Sequence, residues 1–109
     1  MEKYIFGIDI GGTTIKCGLF GAQGELLEKW EIPTRRENAG ENVLGDVAKN
    51  ILAKQEERGI SKEDIIGAGV GVPGPVRADG TVLKCANLGW GITKASEILG
   101  NMTGLKVKV

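Results

Sequence analysis

Asp9-Ile10-Gly11-Gly12-Thr13-Thr14 puts one carboxylate, two glycines and two hydroxyls into six consecutive positions, at the end of an apolar run. Glycines let backbone N–H groups approach an anion with no Cβ in the way, and threonine hydroxyls add donors, so this turn can cradle a phosphate. A carboxylate beside a phosphate repels it unless a cation lies between them, so Asp9 implies Mg²⁺. Taken alone, the same letters describe an ordinary Gly-Gly hairpin with Asp9 as a turn residue, the commoner outcome for so short a motif. Gly69-Val70-Gly71-Val72-Pro73-Gly74 matches a dinucleotide fingerprint letter for letter. That fingerprint must open a helix, however, and Pro73-Gly74-Pro75 leads into a hairpin instead, so NAD is rejected. Asn87-Leu88-Gly89-Trp90 offers an amide with both donor and acceptor, suited to a pair of sugar hydroxyls. Its Trp90 serves either as a ligand platform or, more commonly, as packing.

The elements that must position these residues follow from periodicity. Tyr4 to Ile10 predicts a buried strand, Ile15 to Phe20 a second, and Glu25 to Ile32 a third after the Gly21–Gly24 turn, making an antiparallel meander. Pro33 to Gly40 is a loop in which Asn38 and Glu41 can form a capping box. A helix over 41–58 places Leu44, Val47, Ala48, Ile51 and Leu52 on one face, and Gly59 stops it. The unbroken apolar stretch Ile65 to Val72 predicts a strand buried on both faces. Asp79-Gly80 signals a hairpin between short strands near Val76 and Val82 to Lys84. A second helix over 93–103 turns Ala95, Ile98, Leu99 and Met102 inward, Gly104 ends it, and Leu105 to Val109 forms a last strand. Crossover helices between the later strands call for parallel pairing there, an α/β arrangement.

Composition narrows the field. The chain has 109 residues, 14 basic and 14 acidic, no His and a formal net charge of zero. That balance gives no electrostatic reason to expect nucleic acid or an anionic membrane surface as a partner. No apolar run approaches the roughly 18 residues a membrane helix needs. Hydrophobic residues make up 41% and aromatics 5%, so a core exists and is aliphatic. The 18 glycines lack collagen periodicity and imply many turns or close backbone approach. Cys17 and Cys85 form no CxxC pair and read as free thiols of a cytoplasmic protein.

The Asp9–Thr14 turn, the segment Gly71 to Val76 and Asn87 to Trp90, in this order, resemble the N-terminal lobe of sugar kinases of the repressor–ORF–kinase (ROK) family, most of all its bacterial glucokinases. The resemblance covers nearly the whole chain. It implies a ribonuclease H-like, actin-like ATPase lobe, with the three-stranded antiparallel meander extended by parallel strands and crossover helices. It also implies that Asp9, Gly11, Gly12, Thr13 and Thr14 hold the phosphates of ATP, with Mg²⁺ on Asp9, and that Gly74 and Asn87 face the sugar. Many members carry Lys at the position of Thr14. Lys16, two positions on and on the same strand face, could supply that charge, though a solvated strand lysine is the plainer alternative.

Family kinases continue with a Glu-Asn-Asp segment whose Asp is the general base, and with a zinc motif and sugar-binding Glu and His. None of these lies in residues 1–109. The expectation is therefore an incomplete N-terminal lobe without its second lobe, inactive by itself. Its parent would transfer the γ-phosphoryl group of ATP to a hexose hydroxyl, glucose to glucose 6-phosphate in glycolysis. A sugar-sensing transcriptional regulator of the same family is disfavoured, because its helix-turn-helix would precede a motif that here begins at Asp9. The same residues would also suit a kinase for another hexose or an N-acetylated sugar, or a stand-alone binding module. Sugar and nucleotide are the expected partners, and an incompletely covered sheet implies a homo-oligomer.

Overall fold

The computed structural model describes residues 3–109. Three strands open it, β1 (Tyr4–Ile10), β2 (Thr14–Gly21) and β3 (Leu26–Pro33), as the apolar spacing requires. The β2–β3 turn closes through Gly24, whose φ of 92° is a left-handed value that suits glycine. After β3 the chain makes one short turn, α1 (Glu37–Gly40), then the long helix α2 (Val43–Glu57), the parallel strand β4 (Ile65–Gly71), an irregular hairpin, α3 (Ala95–Thr103) and β5 (Val107–Lys108). The sheet order is β3-β2-β1-β4-β5. β1 to β3 pair antiparallel, whereas β1–β4 and β4–β5 pair parallel. The mixed α/β arrangement expected from the element order is the one observed.

Alternation divides the sheet cleanly. Phe6, Ile8 and Ile10 of β1 stand opposite Leu19, Cys17 and Ile15 of β2, and all six are buried. Val43, Val47, Ala48 and Ile51 of α2 and Ala95 and Leu99 of α3 complete this core. Each fully buried Ile, Leu or Phe contributes about 1.5–3 kcal/mol relative to an exposed one, so this face holds the fold. Trp30 of β3 secures α2 from the side, donating to Asn50 Oδ1 at 3.3 Å with the Lys54 ammonium 4.7 Å from its ring centre.

Several expectations need correction. β4 is not buried on both faces. Ile65, Ala68 and Val70 are buried, but Ile66 is 51% exposed and Gly69 and Gly71 face outward. Both long helices lie against one face only, so a run of apolar letters is no evidence for a second helical layer. The register with β1 slips beside Tyr4, leaving Ile66 as an inserted residue. The capping box does not form either. Asn38 and Ala39 adopt left-handed backbone (φ 54° and 57°), and α2 starts at Asn42 with no side-chain cap. Asn38 spends its amide on the Glu41 carboxylate at 3.2 Å. Leu52 and Met102, expected inside, are 40% and 48% exposed, because the buried stripe of each helix is narrower than its apolar letters. The hairpin turn at Asp79-Gly80 is present, with Arg77 N–H donating to the Thr81 carbonyl at 2.9 Å, but its arms meet by single bridges rather than strands.

Candidate functional site

Asp9 is the last outward-facing residue of β1, so its carboxylate leaves the sheet on the face opposite the core. Its register partners on that face are Gly71 in β4 and Lys16 in β2, and Lys16 in turn faces Glu31 in β3. A methyl group built on Gly71 would lie 3.7 Å from Asp9 Oδ1, so the carboxylate rests directly against the glycine. Asp9 and Lys16 are exposed, and neither makes an ion pair among the described residues. The row therefore presents two anions, Asp9 and Glu31, flanking one cation, Lys16, with no ion pair formed between them.

The turn itself is tight. Gly11 N–H donates to the Thr14 carbonyl at 3.0 Å, and a Cβ on Gly11 would sit 2.8 Å from that oxygen. Thr13 is exposed, and Thr14 begins β2. Among the described residues, the N–H groups of Gly12 and Thr13 donate to no acceptor, so two turn amides are free for an incoming anion. A Cβ on Gly12 would come within 3.4 Å of Asn87 Cβ. The turn and Asn87, far apart in sequence, are thus neighbours in space.

Asn87 lies in a single 3₁₀ turn, Ala86–Leu88, closed by reciprocal backbone hydrogen bonds between Cys85 and Trp90 of 3.1 and 3.0 Å. Its side-chain amide is exposed and hydrogen-bonds to nothing among the described residues. The base of this loop is fixed twice. Gly74 abuts the Lys84 carbonyl so closely that any side chain would collide with it, which explains the glycine between two prolines by close backbone approach. Trp90 is 7% exposed, and its indole N–H donates to the Gly40 carbonyl at 3.2 Å. Trp90 is therefore a packing residue and not a platform.

The geometry brings Asp9, Gly11, Gly12, Thr13, Thr14, Lys16 and Asn87 to one end of the central strands. Gly74 is half-buried, facing the loop that carries Asn87. As a metal ligand set the site offers one carboxylate. That suits Mg²⁺, which commonly takes one or two protein carboxylates and fills its remaining positions with water and phosphate oxygens. Among the described residues no three His, Cys, Asp or Glu side chains converge, so zinc has no protein cage here. No described helix is long and apolar enough to cross a membrane. Of the thiols, Cys17 is pushed up to about 11 by burial, which keeps it protonated and unreactive.

Two residues with a clear place at this end of the sheet carry no sequence signal for it. Gly71 stands out in the sequence within a rejected motif and in the segment that carries the family resemblance, but neither places it against Asp9, where it lies. Thr34, in a loop after β3, donates its hydroxyl to the Gly11 carbonyl at 2.8 Å and its N–H to the Thr13 carbonyl at 2.9 Å. Only the β2–β3 register, which no local pattern reveals, carries Thr34 back to the turn.

A meander continued by parallel strands, with a glycine turn joining its first two strands, is a lobe of the ribonuclease H-like, actin-like ATPase fold. Residues 5–109 match the ROK family, and the chain belongs to it. It is 36% identical over 90 residues to a glucokinase of Halalkalibacterium halodurans, covering 82% of this chain and 27% of that protein. It is 37% identical over 80 residues to the N-acetylgalactosamine kinase AgaK of a Shewanella strain, covering 72% and 24%. Among solved structures, the ROK glucokinase of Streptomyces griseus in complex with glucose and AMPPNP superposes with a TM-score of 0.81 at 25% identity, over 97% of this chain and 32% of that one. The chain spans about a quarter to a third of the length of these relatives.

Proposed function

We propose that residues 1–109 are the N-terminal, nucleotide- and sugar-facing lobe of an ATP-dependent sugar kinase of glucokinase type. The observation that carries this reading is the contact between Gly12 and Asn87, which juxtaposes a turn with free amides and an unpaired side-chain amide. Phosphoryl transfer needs a phosphate cradle beside a hydroxyl-binding group, because its catalysis is mostly positioning and charge neutralisation. In this reading Gly11, Gly12, Thr13 and Thr14 receive phosphate oxygens through backbone and hydroxyl donors. Lys16 supplies the positive charge that Thr14 lacks, standing opposite Asp9 across the β1–β2 ladder. Asp9 is the ligand for Mg²⁺, which when bound neutralises phosphate charge. Asn87 grips a pair of sugar hydroxyls, and Gly74 closes the loop beneath it.

The relatives are kinases of glucose and of N-acetylated sugars. Glucose is the preferred substrate in this reading because the glucokinase match spans more of the chain. In this reading no carboxylate of these residues serves as general base, and the lobe alone is expected to bind ligands without turning them over. Titration of the chain with magnesium AMPPNP, followed by amide chemical shifts, tests the nucleotide half of the reading. Glucose and N-acetylglucosamine titrations, followed at Asn87, test the sugar half. Shifts confined to residues 9–16 and 87 are expected. No shift with nucleotide but a shift with sugar would favour a sugar-sensing regulator. Turnover of the order of 1 s⁻¹, within the usual enzyme range, in a glucose 6-phosphate assay would overturn the inactive-lobe assignment.

A further inference from the structure

We infer that Thr34 is a positioning residue for the Asp9–Thr14 turn, holding the Gly11 carbonyl away from the anion and thereby aiming the Gly12 amide at it; this rests on the nucleotide reading above. Thr34 makes two bonds to the turn from one residue. Its Oγ1 donates to the Gly11 carbonyl at 2.8 Å and its backbone N–H to the Thr13 carbonyl at 2.9 Å. No peptide in the described chain is cis. In a planar trans unit the N–H points opposite to the C=O. With the Gly11 oxygen drawn toward Thr34, the Gly12 N–H of the same peptide must point away from Thr34, and it has no acceptor among the described residues.

The electrostatic consequence is direct. A carbonyl oxygen swung toward a phosphate would repel it, whereas a free N–H attracts it, and a Gly-Gly turn has little steric resistance to such a peptide flip. The internal bond from Gly11 N–H to the Thr14 carbonyl closes the turn but leaves the Gly11 and Thr13 oxygens unheld. Thr34 supplies what the turn cannot supply for itself. The residue is half-buried at the end of β3, where the strand register fixes its backbone. The hydroxyl then has a defined target.

Thr34→Val keeps shape and backbone N–H but deletes the hydroxyl, and Thr34→Ser restores it. Both are compared with the unaltered chain by magnesium AMPPNP titration and by hydrogen exchange of the Gly11 to Thr14 amides. One hydrogen bond of ordinary net strength corresponds to a loss of about three- to ten-fold in nucleotide affinity for Thr34→Val. Thr34→Ser should lie within about two-fold of the unaltered chain, as a hydroxyl-dependent effect requires. A purely structural role would change thermal stability without this valine–serine split in affinity. If the unaltered chain binds and Thr34→Val binds equally well, the positioning role is overturned while the nucleotide site stands. If the unaltered chain does not bind, the nucleotide reading falls. Exchange then decides for Thr34. Faster exchange of the Gly11 amide in the valine variant, restored by serine, supports its hold on the turn, and unchanged exchange overturns it.

Discussion

The two faces of the central sheet are built from the same strands and do opposite work. On one, Phe6, Ile8, Ile10, Ile15 and Leu19 lie fully or almost fully buried under α2 and α3. On the other, alternate positions of the same strands are Ile5, Gly7, Asp9, Thr14, Lys16, Gly18, Phe20, Gly67, Gly69 and Gly71, with no long helix above them among the described residues. Phe20 lies flat across the floor of this face, so that a Cβ on either Gly7 or Gly18 would come within 2.9 Å of its ring. A shallow trough of about 420 Å³, bordered by Asp9, Lys16, Phe20, Leu26 and Gly69, remains. The contrast separates two requirements. One face excludes water to hold the fold; the other is rich in glycine around Phe20, so that backbone and a few charges remain reachable.

Neighbouring residues give the sharpest test of that contrast. Ile10 points into the core at 1% exposure and Asp9 points out. Ile10→Ala should cost about 2–5 kcal/mol in chemical denaturation, enough to unfold a marginal lobe. Asp9→Ala should leave the denaturation midpoint nearly unchanged and abolish magnesium-dependent nucleotide shifts. Equal stability losses in the two variants would erase the distinction between the faces.

Glycines of one strand offer a finer comparison. A Cβ on Gly67 would lie 2.8 Å from the Lys106 carbonyl, whereas nothing stands within 4 Å at Gly69. Gly67→Ala should therefore destabilise by about 1–3 kcal/mol, since backbone must shift. Gly69→Ala should be neutral or stabilise by about 0.4–1 kcal/mol through the unfolded chain. A cost at Gly69 comparable to that at Gly67 would show that the open face is not open.

The uncovered face also bears on association. Ile66 and Leu26 are each 51% exposed; Leu26 borders the trough, and Ile66 borders a further depression beside Ile5, Gly67 and Gly69. Exposed apolar patches of this kind promote self-association, and the isolated chain is expected to sediment as more than a monomer at about 0.1 mM, where interfaces of roughly micromolar affinity fill. Ile66→Glu should shift it toward monomer. A monomer in both cases would argue against a homo-oligomer built on this face.

The smallest effect is expected at the surface. Two hydrogen bonds from the Arg35 guanidinium, 2.8 and 2.7 Å, hold the Asp46 carboxyl below its ordinary range. The unfolded chain protonates Asp46 first, near the usual value of about 3.9. The pair's contribution is thus complete above that pH and is lost as pH falls through the lower folded value. Arg35→Ala should cause a slight loss of stability at pH 7 and a shallower decline below about pH 4 than the unaltered chain shows. Parallel curves would show that the pair contributes nothing.

The amino-acid sequence alone determined whatever depends on neighbours in the chain. Apolar alternation gave β1, β2 and β3 nearly to the residue; Gly59 and Gly104 ended their helices in left-handed backbone, with φ of 64° and 73°. Gly11-Gly12 marked the tight turn after β1 because a glycine pair is a local conformational statement. The tertiary structure alone decided what depends on pairing at a distance. An apolar run such as Ile65 to Val72 reads the same whether one face or two are covered, so only packing revealed the bare face of β4. Asn38 had the letters of a cap but went to a left-handed turn, where Gly40 receives the indole of Trp90. The meeting of Gly12 with Asn87, of Asp9 with Gly71 and of Thr34 with Gly11 arises from strand register and loop closure. Those contacts join segments that carry no mark of one another, because hydrogen bonds between strands read backbone atoms common to every residue.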